Sequence, residues 1–298
     1  PITYNQKVES IIKFFRNQGK VSIQKWLNRE DKYKKIILPI LEKENVPPEI
    51  FYIAMIESGL NSKAYSYAHA SGVWQFIKST GKIYGLDKTY YIDERLDFEK
   101  STIAAAKYLK DLYIEFNDWY LAFAAYNYGS GRVKKAIKRH GTRDYWSLYS
   151  LPKETQNYVP NIMAALFISK DPEKYGFTPI PDPDFSWRTI EIDKSVSLEK
   201  IAECAQLDIK KLHYYNPEIK QGIIPPLKES EKYQFRLPLT ADSAFDSLFA
   251  LVEEERIDEV VFKTHQVKYG ETLSHIAKRY NARINDIVSL NKIKSLKH

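Results

Sequence analysis

Apolar positions along the first two-thirds of the chain recur at spacings of three and four residues. Val8, Ile11, Ile12 and Phe15 form one stripe, and Tyr33, Ile36, Ile37, Ile40 and Leu41 another, the pattern of helices that bury one face. Pro47 and Pro48 punctuate the chain. Residues 49–58 then read as a helix with Pro48 in its first turn and apolar side chains nearly all round, which predicts a buried element. Gly59 can stop it. Residues 59–85, rich in glycine, serine and tyrosine, predict a partly irregular stretch, and helices resume at 99–116, 118–126, 132–138 and 154–170. No strand–helix alternation appears, so residues 1–177 predict a mainly α domain, with N-terminal helices over 1–45 and a core over 46–177.

After Gly176 the texture changes. Pro179, Pro181 and Pro183 mark a linker over 178–187. Beyond it the chain repeats itself at a constant offset of 75 residues. Ile192, Leu198, Ile201, Ala202, Ile209, Leu212 and Asn216 correspond to Val267, Leu273, Ile276, Ala277, Ile284, Ile287 and Asn291 without a gap. Ungapped register through two helices indicates duplication. Each copy reads as a short strand, a helix starting near Ser197 or Thr272, a second helix near Ile209 or Ile284, and a turn ending in Asn. The first copy, 188–238, is expected to close with a strand at Tyr233–Leu237. The second, 262–298, stops before an equivalent strand and is expected to be truncated. Between them, residues 239–261 predict a connecting helix with Phe245, Leu248, Phe249 and Val252 on one face. The fold class expected is α+β multidomain: a mainly α domain followed by small βααβ modules.

Composition narrows the field without choosing a function. The 298 residues are 44% hydrophobic and 28% charged, enough for an ordinary core. No apolar run approaches the roughly 18 residues a membrane span needs. The N-terminus, Pro1-Ile2-Thr3-Tyr4, carries no signal-peptide pattern, so any signal or anchor is expected to have been removed from this chain. Cys204 alone allows neither a disulfide framework nor a cysteine zinc cluster. A net charge of +7 with 22 Tyr, 14 Phe and 5 Trp suits nucleic acid, anionic envelope polymers or sugars. The basic run at 132–139 reads as a solvated helix face, and no nucleic-acid partner is expected. Six histidines show no metal-ligand spacing, and no phosphate-cradling glycine motif occurs, so neither metal nor cofactor is expected.

Candidate chemistry starts at Glu57. A carboxylate near the end of a helix reading Phe51, Tyr52, Ile53, Ala54, Met55 and Ile56 is desolvated, which raises its pKa toward that of a general acid working near neutrality. A salt-bridged structural Glu would fit the helix alone. The company it keeps is more specific: Glu57-Ser58, then Ser66, then Gly72-Val73-Trp74-Gln75-Phe76, then Ala124-Ala125-Tyr126-Asn127, then Asn157-Tyr158. In order and spacing these residues resemble the four motifs of the soluble-lytic-transglycosylase-like domain, a lysozyme-like family of the goose-lysozyme-related glycosidases. Trp74, the Asp93-Glu94-Arg95 segment, Asp118-Trp119 and Leu151–Thr155 point to a membrane-bound branch within it. The two C-terminal copies resemble LysM modules, of which Gln266–Ala277 is a good opening; the first copy departs from the pattern, with Lys194-Ser195-Val196 where a Gly-acidic-Thr turn belongs.

The resemblance implies cleavage of the β-1,4 bond between N-acetylmuramic acid and N-acetylglucosamine of peptidoglycan glycan strands. It implies that Glu57 alone supplies both proton transfers and that the product is a 1,6-anhydromuramoyl sugar. An ordinary glycosidase uses two carboxylates, about 5–5.5 Å apart for retention and about 6.5–9.5 Å for inversion. The stretches matching the other three motifs contain no Asp or Glu, and Asp93 and Asp97 read first as turn or N-cap residues. Ser58 and Ser66 are expected on the Glu57 carboxylate or on sugar hydroxyls, or else as cap and loop serines. Gln75 and Asn127 suit an N-acetyl group, and Tyr126 and Tyr158 could orient Glu57 or pack the core. Trp74 is either a sugar-stacking wall or core. In the second LysM copy, Gly270, Glu271, Thr272, Leu273 and Asn291 are expected to bind glycan. The rivals are a muramidase-type hydrolase on the same fold and an inactive peptidoglycan-binding protein. A monomer in the bacterial cell envelope, periplasmic or outer-membrane anchored, is expected.

Overall fold

The computed structural model describes residues 2–182, 185–228, 230–255, 265–291 and 293. It divides into two units, 1–255 and 256–298. In the first, α1 (Gln6–Arg16) and α2 (Lys20–Lys43) lead to a 3-10 turn at Pro48–Ile50 and to α3 (Phe51–Ser58). α4 (Lys78–Ile83), α5 (Phe98–Phe116), α6 (Trp119–Tyr128), α7 (Ser130–His140) and α8 (Lys153–Lys170) complete the α domain. No described helix is long and apolar enough to cross a membrane.

α3 is short and apolar on every side, so it sits inside: Phe51 to Met55 are all buried, packed between α8 and α2. Its length is fixed by Gly59, which turns left-handed (φ 61°) to end it. A Cβ there would lie 2.2 Å from the Trp26 indole nitrogen, so no other residue fits. α5 begins where Asp97 accepts hydrogen bonds from the amides of Glu99 and Lys100, and α6 where Asp118 accepts from that of Leu121, the N-cap role expected of an Asp before a helix. α5 packs on α6 and α2, α6 on α7 and α8, and α1 on α8, and Leu109, Leu112, Phe116, Leu121, Ile162 and Leu166 fill the core between them.

The proline-bearing stretch after Gly176 lies along α2. Asn28 accepts from the Asp182 amide through its carbonyl and from the Ile180 amide through its side chain, and Phe185 stacks on Tyr215 with ring centroids 4.2 Å apart. The first repeat follows as β1 (Trp187–Ile192), β2 (Val196–Ser197), α9 (Leu198–Ala205), α10 (Ile209–Tyr215), β3 (Ile223–Ile224) and β4 (Tyr233–Pro238). β1 pairs antiparallel with β4, Trp187 opposite Pro238, and β2 with β3, Val196 opposite Ile224. Ile192, Leu198, Ile201, Leu212, Phe235, Leu237 and Cys204 make its core. The connecting helix expected over 239–261 is α11 (Phe245–Ala250) only; residues 256–261 lie outside the described residues.

The second unit contains α12 (Leu273–Tyr280), N-capped by Thr272, and α13 (Ile284–Leu290). The strand expected before Thr272 is not formed among its described residues, where 265–268 are irregular. His265 joins Glu271 (2.8 Å) and Tyr280 (3.1 Å), and Glu271 also accepts from the Lys268 amide. Residues 294–298, the expected truncated end, lie outside the described residues.

Candidate active site

α3 delivers Glu57 one residue before its end, half-buried, where α8 passes alongside. Tyr158 of α8, itself buried, donates its phenolic hydrogen to Glu57 Oε1 at 2.5 Å. Burial raises the Glu57 carboxyl from its ordinary 4.5 to about 7; the Tyr158 hydrogen bond opposes the rise, and the charge of Glu154 adds to it. The same burial, with the Glu57 charge next in size, lifts the Tyr158 and Tyr126 phenols above their ordinary value, so both stay protonated donors. A carboxyl that titrates near neutrality can give up a proton and take one back at the same pH.

The opposite side is the irregular stretch after α3. Residues 64–76 fold back on themselves through bridges from Tyr65 to Ser71 and from Ser71 to Phe76. Gly72 makes the reversal possible: its φ is +82°, and a Cβ would lie 1.8 Å from the Arg95 carbonyl oxygen. Gln75 is also left-handed (φ 51°), an uncommon conformation for a residue with a Cβ. Its side-chain amide donates to the carbonyls of Gly72 (2.8 Å) and Ala64 (3.4 Å). Tyr126 from α6 donates to the Trp74 carbonyl (2.8 Å), so the phenol ties the loop to the helix that carries Asn127.

Three expected site residues take other positions. Trp74 is wholly buried and donates its indole hydrogen to Thr102 Oγ1 at 2.8 Å. With no face exposed it cannot stack on a sugar, and its expected substrate role is corrected to core packing. The Ser58 hydroxyl donates to the carbonyls of Val73 (2.8 Å) and Ala54 (3.1 Å), pinning the loop to the end of α3 rather than reaching the carboxylate. Ser66 Oγ accepts from the Ala70 amide (3.1 Å) and shapes the loop from within. Glu57, Tyr126 and Tyr158 are brought together; the half-buried Asn127 follows Tyr126 on α6, and Gln75 follows the Trp74 carbonyl that Tyr126 holds.

Glu154 and Thr155, which the sequence offered only as part of the Leu151–Thr155 segment and with no site role, both bond to Asn127. Thr155 donates to Asn127 Oδ1 at 2.7 Å, and Asn127 Nδ2 donates to Glu154 Oε1 at 3.4 Å. These bonds fix which way the Asn127 amide points. Glu154 precedes Tyr158 by four residues on α8 and so shares its face, which is the signal that could have found it.

Three comparisons bear on this arrangement. Residues 35–149 match the family described as Transglycosylase SLT domain, residues 186–253 that described as Lytic transglycosylase MltD, LysM-like domain, and residues 265–297 that described as LysM domain. The chain is 34% identical over 284 residues to membrane-bound lytic murein transglycosylase D of Escherichia coli K12, covering 90% of this chain and 62% of that protein. It thus spans about three fifths of the length of this curated relative. Among solved structures it is similar to the lytic transglycosylase Slt of Pseudomonas aeruginosa (26% identical, TM-score 0.39, 50% of this chain and 25% of that one). A second is the 70 kDa soluble lytic transglycosylase of Escherichia coli (27%, TM-score 0.38, 48% and 25%). An SLT domain, an MltD-type LysM-like domain and a LysM domain thus follow one another along this chain, in a sequence similar to that of a membrane-bound lytic murein transglycosylase.

Proposed function

We propose that this chain is a peptidoglycan lytic transglycosylase in which Glu57 alone is the acid and the base. The observation that carries the reading is the Glu57 carboxyl held near neutrality, with one oxygen occupied by the Tyr158 hydroxyl. That hydrogen bond leaves Oε2 to carry the transferable proton. Oε2 protonates the glycosidic oxygen as the bond from the muramoyl C1 breaks. The resulting carboxylate takes the proton of the C6 hydroxyl as O6 closes on C1. The bond to O6 replaces the bond to the leaving sugar, the proton returns to Glu57, and no water is consumed. Gln75 and Asn127 are the groups of the right donor and acceptor types for N-acetyl substituents. Glu57→Gln is expected to lower turnover of purified sacculi at least about 10²-fold; near-wild-type turnover would overturn the role.

One observation favours a second reading. Glu154 is exposed, lies close enough to Glu57 to raise its pKa, and accepts from Asn127, as a base for an attacking water would. Two assays separate the readings. A mass spectrum of released muropeptides shows anhydro products, one water lighter, for a transglycosylase and reducing ends for a hydrolase. Glu154→Gln leaves the first activity within a few-fold and abolishes the second.

Our reading of the domains is a catalytic part over 1–177, a LysM-like module over 188–238 and a glycan-binding LysM module over 262–298, in a protein of the bacterial cell envelope. The exposed Gly270, Thr272 and Asn291 with the half-buried Leu273 would meet N-acetylglucosamine units. Glu271 shapes that turn by accepting from the Lys268 amide. Deleting residues 262–298 tests this through the loss of sacculus binding.

A further inference from the structure

The two repeats share a register but not an environment. In the second, the positions around the first turn and after the second helix are open: Gly270, Thr272 and Asn291 are exposed. In the first, the positions 75 residues earlier are less open: Ser195 and Asn216 are wholly buried and Ser197 is half-buried, with Val196, Leu198 and Glu218 buried beside them. What covers them belongs to the same unit. Glu255 accepts from the hydroxyl (2.6 Å) and amide (3.2 Å) of Ser197, and its own amide donates to the Ser195 carbonyl (2.9 Å). On the other edge, the loop after α10 pairs with the stretch before α5. The Asp93 amide donates to the Glu218 carbonyl (2.9 Å), the Lys220 amide to the Tyr91 carbonyl (2.7 Å), and Ile92 bridges Ile219.

Arg236 of β4 locks this edge. Its guanidinium meets Asp97 (2.6 Å), Glu99 (2.6 Å) and Glu218 (2.9 Å) and lies 4.4 Å from the Phe98 ring centroid. The clamped segment is joined to the 69–76 loop through the buried Arg95. Asp93 holds the Arg95 fork at 2.9 and 2.8 Å, and Arg95 donates to the carbonyls of His69 and Phe76, both at 2.9 Å. Those two carbonyls bracket the loop whose Gly72 abuts Arg95 and whose Trp74 carbonyl is held by Tyr126 of the site. Every link is a charge-assisted or backbone hydrogen bond, and most are buried, where such bonds are strongest.

We propose that the first repeat is an internal brace instead of a glycan reader: Arg236 and the 216–221 loop are positioning residues that hold the 69–76 loop of the active site through Asp93 and Arg95. The catalytic consequence rests on the function proposed above; the mechanical one does not. Hydrogen exchange of the intact chain therefore tests it first, read on peptides spanning 66–76 and 153–170. Arg236→Ala is expected to speed exchange at 66–76 at least tenfold while α8 stays protected, and to lower the maximal rate on soluble peptidoglycan fragments at least fivefold with KM changed less. Arg236→Lys, which keeps one ion pair, restores part of both. If Arg236→Ala does not fold, the double variant Glu99→Gln/Gln221→Ala, which removes one ion pair and the bond from Gln221 to the Tyr90 carbonyl (3.2 Å), is expected to speed loop exchange about threefold. Exchange at 66–76 within twofold of wild type in a folded variant overturns the brace. Altered exchange in a chain without activity would retain the brace and remove the function.

Discussion

Glu57→Gln makes the protonation state of one side chain measurable as stability. The carboxyl rises from 4.5 to about 7 on folding because burial disfavours its charge more than the Tyr158 hydrogen bond favours it. The native state therefore binds the proton more tightly than the unfolded chain. The advantage of the protonated acid is fully present below pH 4.5 and is lost as pH rises through 7. At roughly 1.4 kcal/mol per tenfold change in proton affinity, a rise from 4.5 to about 7 makes the loss at most about 3.5 kcal/mol. Glutamine is nearly isosteric, never charges and can still accept from Tyr158, so it escapes this loss. The assay is equilibrium denaturant unfolding of both proteins from pH 4 to pH 9. The difference should be near zero at pH 4, grow through the window between 4.5 and 7, and level off with the variant about 2–3 kcal/mol more stable at pH 8. A difference that does not change with pH, or a variant less stable than wild type at pH 8, would refute burial as the source of the acid.

Three further perturbations probe other parts of the site. Tyr158→Phe removes the bond that holds the Glu57 pKa down, so the alkaline limb of the pH–rate profile should move up by about one unit, while the rate falls about tenfold; an unmoved limb would show that the hydroxyl does not act on the carboxyl. Gly72→Ala places a methyl 1.8 Å from the Arg95 carbonyl at a φ of +82°, and chemical unfolding should show a loss of at least about 3 kcal/mol or no soluble protein. Trp74→Phe strips the indole donor from Thr102 and should cost about 1–3 kcal/mol with KM for soluble fragments unchanged; a tenfold rise in KM at unchanged stability would return Trp74 to the substrate.

These residues also show where sequence stops being informative. Glu57 was legible because a charge inside an otherwise apolar helix contradicts the pattern around it, and contradictions of that kind mark sites. Trp74 was not, since a large aromatic in an irregular loop is equally at home in a groove or in a core; the choice is made by a hydroxyl on Thr102, 28 residues further on. Ser58 misled for a related reason. Its place beside the acid suggested chemistry, but a hydroxyl at a helix end has backbone carbonyls closer to hand, and it took those of Ala54 and Val73. Glu154 escaped notice because its link to Asn127 exists only when α6 and α8 lie side by side. The repeat is the sharpest case. Its apolar register is the same in both copies; in the first it builds the module's own core, while in the second Val267, the counterpart of the buried Ile192, is exposed. What seats the first copy against its neighbour is a few polar positions outside the register. In the first copy Arg236, paired with Glu218 of the same copy, meets Asp97 and Glu99 of a different element. A duplicated pattern therefore speaks to a duplicated fold but not to a duplicated function, because the part shared by the two copies is the apolar register and the polar positions around it differ.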